Sequence, residues 1–405
     1  MLPPLKTVKA GLGRTTEALA EELARPGTAT PEWNALEWRL ASVAAVVHGV
    51  SPLLCKYSTW QNPEWMAFLA SQRTHVEHRH QRIATLLQRI DAGALAAGLA
   101  IVPLKGSALH ALGLYVPGDR PMADIDLLVA EGDAGLATEL LLDLGYVESF
   151  AMWKHQVFKP PTGKPFEGLG EHRDTPITIE LHTRIQERLP VSLVDITARI
   201  YPRRPRAGLN AYPSRGALMS HLLLHAAGNM CSRTLRLLHL NDIALLSACM
   251  STTDWSAFWS EHAVDSRWWA LPPLRLVERY FVGAVPQAVF DRLEHDCPLV
   301  LRTMSHHQTL TQVSSSDLWL HALPGIEWSR SLREAGRYVR NRLKPSEEAS
   351  RERADMVRTQ LWLHGQGWLT LHHGHRILTW LTRPVPRLDI LYAVRAALET
   401  PASVP

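Results

Sequence analysis

The chain has 405 residues, with 43 basic against 39 acidic residues and a net charge of +4. This balance excludes a dedicated nucleic-acid binder with a uniformly basic surface and leaves room only for local basic patches. Hydrophobic residues make up 46% and charged residues 20%, as in an ordinary soluble protein with a large core. The four cysteines form no Cys-x-x-Cys pair, and no signal sequence or membrane-spanning run is evident, which predicts a reduced cytoplasmic protein without membrane contact.

The first part of the chain has the pattern of helices. One short helix is predicted over Thr15–Ala24, before the breaker Pro26-Gly27-Thr28. Apolar residues then recur at helical spacing from Glu32 to Leu99. We therefore predict an N-terminal helical lobe over residues 1–98.

A strand, a glycine turn and a helix are predicted next. The apolar run Ile101–Leu104 indicates a buried strand that ends on Lys105-Gly106-Ser107, and apolar periodicity follows at once. Glycine lets a backbone approach a phosphate, and free amides at a helix N-terminus attract anions. Gly106 and Ser107 are therefore candidates for phosphate binding, while Lys105 either neutralises a triphosphate or extends into solvent.

Two aspartates stand on the next predicted strand. Side chains alternate between the faces of a strand, so Asp124 and Asp126 share one face and Ile125 lies on the other. Their apolar neighbours are typical of a buried strand, and the alternative is a solvated edge strand. Adjacent carboxylates repel unless a cation lies between them, and Mg²⁺ prefers oxygen ligands and keeps positions for phosphate. The pair predicts metal-dependent transfer at a nucleotide phosphate.

A third strand, Ile177–Leu181, carries Glu180 between apolar residues. If this strand pairs beside the aspartates, Glu180 completes a cluster of three acids; otherwise it is a surface glutamate. His182 lies two residues later and so faces the same side, where it orients Glu180, contacts the acceptor or is a core histidine.

These strands place an α/β core at residues 99–212. Its other predicted elements are a helix at Gly135–Leu144, strands at Tyr146–Phe150 and His155–Phe158, and a loop at Pro160–Thr175. The predicted fold class is α+β, with a small mixed β-sheet between the N-terminal lobe and a larger C-terminal helical region over 213–405.

The C-terminal region is helical in pattern from Leu218 onward. Its predicted helices are Leu235–Met250, Trp255–His262, Trp268–Val282, Val289–Asp296 and two stretches within Thr359–Ala397, separated by Arg383-Pro384-Val385-Pro386. The charged segment Lys344–Arg353 predicts a solvated linker. Asp242 lies inside an apolar helix, and we expect it to pair with a neighbour such as Arg236 or His239.

Several polar residues of this region have two interpretations. His225 and Asn229 are spaced i, i+4, with His221 one turn earlier, so they line a base or acceptor pocket or make structural contacts. His306-His307 and His372-His373-Gly374-His375 lack matching Cys or acid spacing, so surface histidines are expected rather than a zinc site.

A short basic run is the other feature of this kind. Arg203-Arg204-Pro205-Arg206 is either a solvated loop or a contact for an acidic or phosphorylated acceptor.

The central region resembles a known superfamily. The residues Leu104-Lys105-Gly106, Tyr115, Arg120 and Asp124 to Val129 are similar to a bacterial "nucleotidyltransferase family protein" branch of the polymerase-β-like nucleotidyltransferases, found among other places near peptide natural-product genes. Further likeness comes from Ile179–His182, His221 to His225 and Leu235 to Leu246. The likeness covers about Leu95 to Leu246, and the spacer from Gly106-Ser107 to Asp124 is longer than in the classical motif.

The resemblance implies an NTP co-substrate and two Mg²⁺ ions held by Asp124, Asp126 and Glu180. Glu180 is also the implied general base for the acceptor hydroxyl. The implied nucleotide contacts come from a second set of residues: Lys105, Gly106, Ser107, Arg120, His182 and His225. Arg120 is equally interpreted as a scaffold residue paired with Asp126 or Asp119.

Three functions are compatible with these features. The first is an enzyme that moves a nucleoside monophosphate from an NTP to an acceptor, a small molecule or natural-product peptide by family context, and releases pyrophosphate. The second is a non-catalytic nucleotide-binding or interaction protein, which the presence of all three acids disfavours. The third is a toxin-like modifier of RNA or protein; the weak basicity disfavours a nucleic-acid partner.

Overall fold

A computed structural model shows a β-sheet among many helices. The structure describes residues 3–151, 154–161, 168–259, 266–317, 319–320, 323–345, 347, 378 and 385–399. The strands are β1 (Ala100–Pro103), β2 (Asp124–Leu128), β3 (Val147–Ala151), β4 (Gln156–Lys159), β5 (Thr178–His182), β6 (Gln186–Leu189), β7 (Ser192–Asp195), β8 (Gly208–Leu209), β9 (Trp319–Leu320) and β10 (Val385–Pro386).

Helices precede, interrupt and follow these strands in the described chain. They are α1 (Leu5–Ala24), α2 (Ala35–Val47), α3 (Ser51–Tyr57), α4 (Pro63–Ala96), α5 (Gly106–Ala111), α6 (Ala134–Asp143), α7 (Thr197–Ile200), α8 (Arg215–Ser232), α9 (Leu237–Ala248), α10 (Thr252–Trp259), α11 (Leu271–Tyr280), α12 (Gln287–Asp296), α13 (Leu299–Ser305), α14 (Leu310–Val313), α15 (Leu332–Leu343) and α16 (Leu388–Glu399). Short 3₁₀ helices lie at Glu131–Asp133, Trp268–Ala270 and Ile326–Trp328.

The main sheet is mixed and has the strand order β3-β4-β5-β2-β1-β8. Strand β2 pairs antiparallel with β1 and parallel with β5. The predicted α+β class with a mixed sheet is confirmed. The predicted placement of the glutamate strand beside the aspartate strand is also confirmed, because those strands are β5 and β2.

The two faces of the sheet have different coverings. Ile125 of β2 and Ile179 of β5 are fully buried and pack with apolar residues of α4 and α6. On the other face, Leu128 packs with Ala217 of α8. Side chains alternate along a strand, so Asp124 and Asp126 lie on the face covered by α8.

Helix α1 begins at Leu5, so the predicted start at Thr15 is wrong. Gly11 lies inside α1 against Leu40 of α2, and a Cβ there would overlap Leu40 Cδ1. The close approach of two helices needs this glycine, and burial of Val8 and Leu12 stabilises the extra turns.

The predicted helical segment Glu32–Leu99 forms three helices, α2, α3 and α4. Helix α2 begins with a capping box, in which Asn34 accepts from the Glu37 N–H and Glu37 accepts from the Asn34 N–H. Helix α4 begins after Asn62, whose side chain accepts from the Trp65 N–H.

The described C-terminal helices occur where helical periodicity is predicted, with shifted ends. The predicted helical stretch that begins at Thr359 lies, apart from residue 378, outside the described residues. The predicted helix Trp268–Val282 divides into a 3₁₀ turn and α11. Of the predicted break Arg383-Pro384-Val385-Pro386, the structure describes the last two residues, which form the short strand β10 paired with β9. The histidines at 372–375 and most of the predicted linker Lys344–Arg353 lie outside the described residues.

The largest apolar cluster joins the two helical regions. It contains Val8 and Leu40 from the N-terminal helices and Leu223, Leu240 and Val394 from the C-terminal ones. The division into residues 1–98, 99–212 and 213–405 stays a prediction.

None of the described helices can by itself cross a membrane, judged by length and apolarity. Helices α2 and α3 meet those criteria only when taken together, and they are bent by 111° at their junction.

His48, at the C-terminal end of α2, connects the start of α9 to the middle of α1. Its Nδ1 accepts a hydrogen bond of 3.1 Å from the Leu237 N–H, its Nε2 lies 3.3 Å from Thr16 Oγ1, and the ring is buried. Burial, together with the positive charge of Arg236, lowers the pKa of His48 to about 3. The folded protein therefore holds this imidazole neutral.

This burial predicts a loss of stability at mildly acidic pH. An unfolded His48 binds a proton below its ordinary pKa of 6.5, and the folded protein does not until the pH approaches 3, so stability falls as pH drops through this window. At about 1.4 kcal/mol per pH unit, His48 should remove about 2 kcal/mol of unfolding free energy between pH 7 and pH 5. Urea unfolding of wild type and His48→Asn at both pH values measures this difference.

The asparagine variant should show a pH dependence that is smaller by this amount, because its amide oxygen accepts from Leu237 without titrating. His307→Asn removes an exposed histidine and should keep the wild-type pH dependence. An equal drop in wild type and His48→Asn would contradict the assignment.

Candidate functional site

Three acidic side chains share one face of the sheet. In the parallel pair of β2 and β5, Asp126 lies directly opposite Glu180, and Asp124 lies two residues earlier on the same face. Ile125 and Ile179 are the register partners that point to the opposite, apolar face. The fold therefore brings together the three acids predicted from the sequence.

Asp126 is the most tightly held of the three. It is 7% exposed, and its Oδ1 accepts from Lys105 Nζ at 2.8 Å and lies 3.1 Å from His182 Nε2. Burial acts to raise the pKa of Asp126, but the Lys105 ammonium and the His182 hydrogen bond outweigh it and hold the pKa well below its usual range. The carboxylate is therefore ionised at neutral pH.

Lys105 responds to the same contact. Burial acts to lower the pKa of Lys105, but Asp126 and Asp124 outweigh that effect and raise it. The lysine head is thus turned to the acids, and the predicted alternative of an ammonium group in solvent is wrong.

The pKa of Asp124 is shifted in the direction opposite to that of Asp126. Burial, followed by repulsion from Asp126 and Glu180, raises the pKa of Asp124 to about 7. Within the described residues, no side chain or backbone group donates a hydrogen bond to its carboxylate, and no cation pairs with it. A divalent cation would compensate this charge, so the oxygen donors fit the metal that the sequence implies.

Two histidines stand beside Glu180. His155 Nδ1 lies 3.4 Å and His182 Nε2 lies 3.7 Å from Glu180 Oε2, and candidate ligand atoms of all three lie within 4.8 Å of one another. His155 Nδ1 is buried and has no hydrogen-bond partner among the described residues. This set of two nitrogens and one carboxylate is a second arrangement that suits a divalent metal.

His155 is a site residue that sequence reasoning missed, as are Lys154 and Glu187, which form an ion pair at the cavity beside the acids. The strand of His155 was predicted, but the antiparallel register that sets Val157 opposite Glu180 comes from a pairing across a long loop. Local spacing holds no signal for such a pairing.

A cavity of about 120 Å³ opens beside these residues, between β5, β6 and α8. Lys105, Glu180 and His182 line it together with His221 and His225 of α8. Burial, followed by the charge of Lys105, lowers the pKa of both His221 and His225 well below the ordinary value, so both imidazoles are neutral. Both α8 histidines line this cavity, and their role in a base or acceptor pocket stays a prediction.

The α8 histidines are fixed by hydrogen bonds. His221 Nδ1 lies 2.7 Å from Tyr212 Oη, and Asn229 Nδ2 lies 3.1 Å from His225 Nε2. The same Tyr212 hydroxyl accepts from the Lys105 N–H at 3.2 Å. This network connects α8 to the turn that precedes α5.

The turn itself is tightly constrained. Lys105 has φ +46°, a conformation that side-chain-bearing residues rarely adopt, and a Cβ at Gly106 would overlap Arg120 Nη1. Ser107 is 7% exposed and is the second residue of helix α5. Glycine is therefore required by the arginine packed behind it.

Arg120 is held by Asp242. Its Nε donates to Asp242 Oδ1 at 2.9 Å and its Nη2 donates to Asp242 Oδ2 at 2.7 Å, and Tyr115 Oη donates to Oδ1 at 2.7 Å. The predicted pairs of Arg120 with Asp126 or Asp119 are wrong, because Asp119 instead pairs with Lys56 and Arg73.

The expected pairing of Asp242 with Arg236 or His239 is also wrong. The bidentate geometry of a guanidinium with a carboxylate favours Arg120, although it is distant in the chain. Of the two interpretations of Arg120, the geometry favours the scaffold.

The remaining candidate residues lie at the surface. His306 and His307 are exposed, as expected, and so are Arg203, Arg204 and Arg206.

Comparison with known proteins gives one match. A family model described as an uncharacterised nucleotidyltransferase matches residues 34–279, which include all strands of the main sheet and all the acids of the site. No curated protein and no solved structure is significantly similar to the chain. Because the match covers more than half of the sequence and includes the proposed site, this protein belongs to that family of uncharacterised nucleotidyltransferases.

Proposed function

We propose that this protein is a polymerase-β-like enzyme that uses Mg²⁺ to transfer a nucleoside monophosphate from an NTP to an acceptor, with release of pyrophosphate. The observation that carries the proposal is the shared sheet face of Asp124, Asp126 and Glu180, with Asp126 and Glu180 in direct register. A small molecule or natural-product peptide is the first acceptor by analogy with the family. Four free cysteines support a reducing compartment such as the cytoplasm.

The proposed reaction is an in-line displacement. An acceptor hydroxyl oxygen forms a bond to the α-phosphorus, the bond from that phosphorus to the bridging oxygen breaks, and pyrophosphate leaves with the electron pair. The hydroxyl proton passes to the Glu180 carboxylate. Divalent cations, when bound, neutralise charge on the phosphate oxygens; Asp124, Asp126 and Glu180 would hold them.

His182 is a positioning residue in this scheme. Its Nε2 lies 3.1 Å from Asp126 Oδ1 and 3.7 Å from Glu180 Oε2, so one ring orients two carboxylates. Its own pKa, which burial acts to lower, is raised because the hydrogen bonds to Asp126 and Glu180 outweigh burial.

The turn before α5 would hold the triphosphate. Gly106 offers a backbone amide and Ser107 a hydroxyl, since the Ser107 N–H already donates to the Leu104 carbonyl at 3.2 Å. Lys105 supplies a positive charge beside the acids. Arg120 acts behind the turn through its contact with Gly106 rather than on the nucleotide.

Asp124→Asn should weaken binding of Mg²⁺ with ATP by more than about tenfold, the loss that substitutions around a metal typically cause. The melting temperature should not fall, because within the described chain this carboxylate has no partner to lose. Isothermal titration with ATP, CTP, GTP and UTP in Mg²⁺ measures the affinity and the base preference. Asp143→Asn, an exposed aspartate of α6, is the matched control and should bind as wild type. Equal affinities in Asp124→Asn and wild type would remove the metal site from the proposal.

Glu180→Gln should slow transfer by roughly 10² to 10⁴, the usual contribution of a general base. Each protein is incubated with labelled ATP and cell extract, and the rate of pyrophosphate release is measured. Mass spectrometry then identifies the acceptor by a gain of one nucleoside monophosphate. Glu148→Gln, an exposed glutamate on β3, is the matched control. Unchanged turnover in Glu180→Gln would exclude this residue, and nucleotide binding without transfer in wild type would favour the non-catalytic alternative.

Gly106→Ala should destabilise the protein by roughly 1–3 kcal/mol, the usual cost of overpacking, because the new methyl group displaces Arg120 from Asp242. ATP affinity should fall as the turn shifts. Urea unfolding and nucleotide titration measure the two effects. Gly135→Ala, where a Cβ has open space in α6, should cause neither. Wild-type stability in Gly106→Ala would show that the turn tolerates a side chain.

A further inference from the structure

A second, larger cavity lies where strands β2 and β5 end. Its volume is about 640 Å³, and its walls include Glu131 after β2 and Arg184 after β5. Ligands of sheets with parallel strands commonly bind outside the carboxyl ends of those strands. The volume is that of a pocket for a small organic molecule.

This cavity adjoins the candidate active site. Arg184 lines both cavities, and on α8 Ser220 lines the larger one while the next residue, His221, lines the smaller one. None of the three acids and none of the turn residues 105–107 lines the larger cavity. A molecule there would lie beside the proposed site of phosphate chemistry without occupying it.

The walls of the larger cavity are rich in positive charge. Among the described residues that line it are four arginines and two carboxylates, the arginines being Arg184, Arg199, Arg203 and Arg267. The two carboxylates already have partners. Asp195 Oδ1 accepts from the Thr197 N–H and hydroxyl, and Glu131 pairs with Arg184 at 3.0 Å.

Arg267 lines this cavity with a hydrogen-bond donor that is unpaired in the described part of the chain. Its Nη1 is buried without a hydrogen-bond partner, and no carboxylate within the described chain lies at ion-pair distance. Its guanidinium stacks 4.6 Å from the centre of the Phe258 ring, while Arg199 is bound to the Ala257 and Phe258 carbonyls and to Ser220. Burial, followed by repulsion from Arg199 and Arg292, lowers the pKa of Arg267 to about 9. A buried cation without a counter-charge is costly, and an anionic ligand removes that cost.

We propose that this cavity binds the acceptor substrate, and that the acceptor is a small organic oxyanion whose carboxylate or phosphate group pairs with Arg267. Tyr201 and Trp269, which also line the cavity, contact the organic part of the molecule. The acceptor role rests on the proposed nucleotidyl transfer. The binding site itself does not, so the two can be tested apart.

The test uses the full-length protein without nucleotide or metal, titrated calorimetrically with 1-naphthyl phosphate, 1-naphthoate and uncharged 1-naphthol. Both anions should bind, and naphthol should bind at least about tenfold more weakly, because a hydrogen bond to a charged group is lost. The two anions separate a phosphate preference from a carboxylate preference. Arg267→Leu should weaken anion binding by at least about tenfold.

Two further variants keep the test decisive. Arg184→Gln, at an exposed position, should also weaken binding of the anions, and it serves as the test if Arg267→Leu fails to fold. Arg204→Leu changes an exposed arginine that does not line the cavity and should bind the anions as wild type does. Asp124→Asn should bind ATP with Mg²⁺ more weakly, as predicted above, but should bind both naphthyl anions as wild type does. If ATP binds nowhere while the anions bind, the transferase proposal fails and the anion site stands.

Four results would overturn the inference. The first is equal affinity for naphthol and the anions, and the second is unchanged anion binding in both Arg267→Leu and Arg184→Gln. The third is competition between ATP and 1-naphthyl phosphate for one site, and the fourth is displacement of 1-naphthyl phosphate by a short single-stranded RNA. The third would assign the cavity to the nucleotide, and the fourth would assign it to a nucleic acid.

Discussion

Parallel pairing of β2 with β5 determines where the acidic groups of this protein lie. The register sets Asp126 opposite Glu180, although more than fifty residues separate them in the chain. Crowded carboxylates repel, and Lys105 and His182 offset part of this repulsion, most directly at Asp126. Ile125 and Ile179 pack against apolar residues of α4 and α6, and this packing stabilises the strand pair against the remaining repulsion between the carboxylates.

Much of this site follows from local pattern. Alternation along a strand is enough to place Asp124 and Asp126 on one face, and the spacing of α8 is enough to place His221 and His225 together. The pairing of Asp242 with Arg120 and the approach of His155 to Glu180 are beyond such reasoning, because both depend on contacts between segments far apart in the chain. The start of α1 is missed for a related reason: Gly11 breaks a helix by propensity but permits a close contact with α2.

The two cavities differ in the charge that they present. Four imidazoles, two lysines and two glutamates face the smaller cavity together with Arg184, whereas arginines dominate the larger one. Arg184 belongs to both, so the change from one environment to the other takes place over a single side chain. Such a division suits a reaction that needs a cation-binding centre next to a pocket for an anion.

Helix α8 is a common wall of these two environments. At its start, Gly216 lies so close to α10 that a Cβ would overlap the Phe258 backbone N, and backbone yields less readily than a flexible side chain. Helix α8 therefore packs directly against the backbone of α10, and it carries Ser220 and His221 at successive positions. A displacement of the helix at Gly216 would therefore move a wall of both cavities at once.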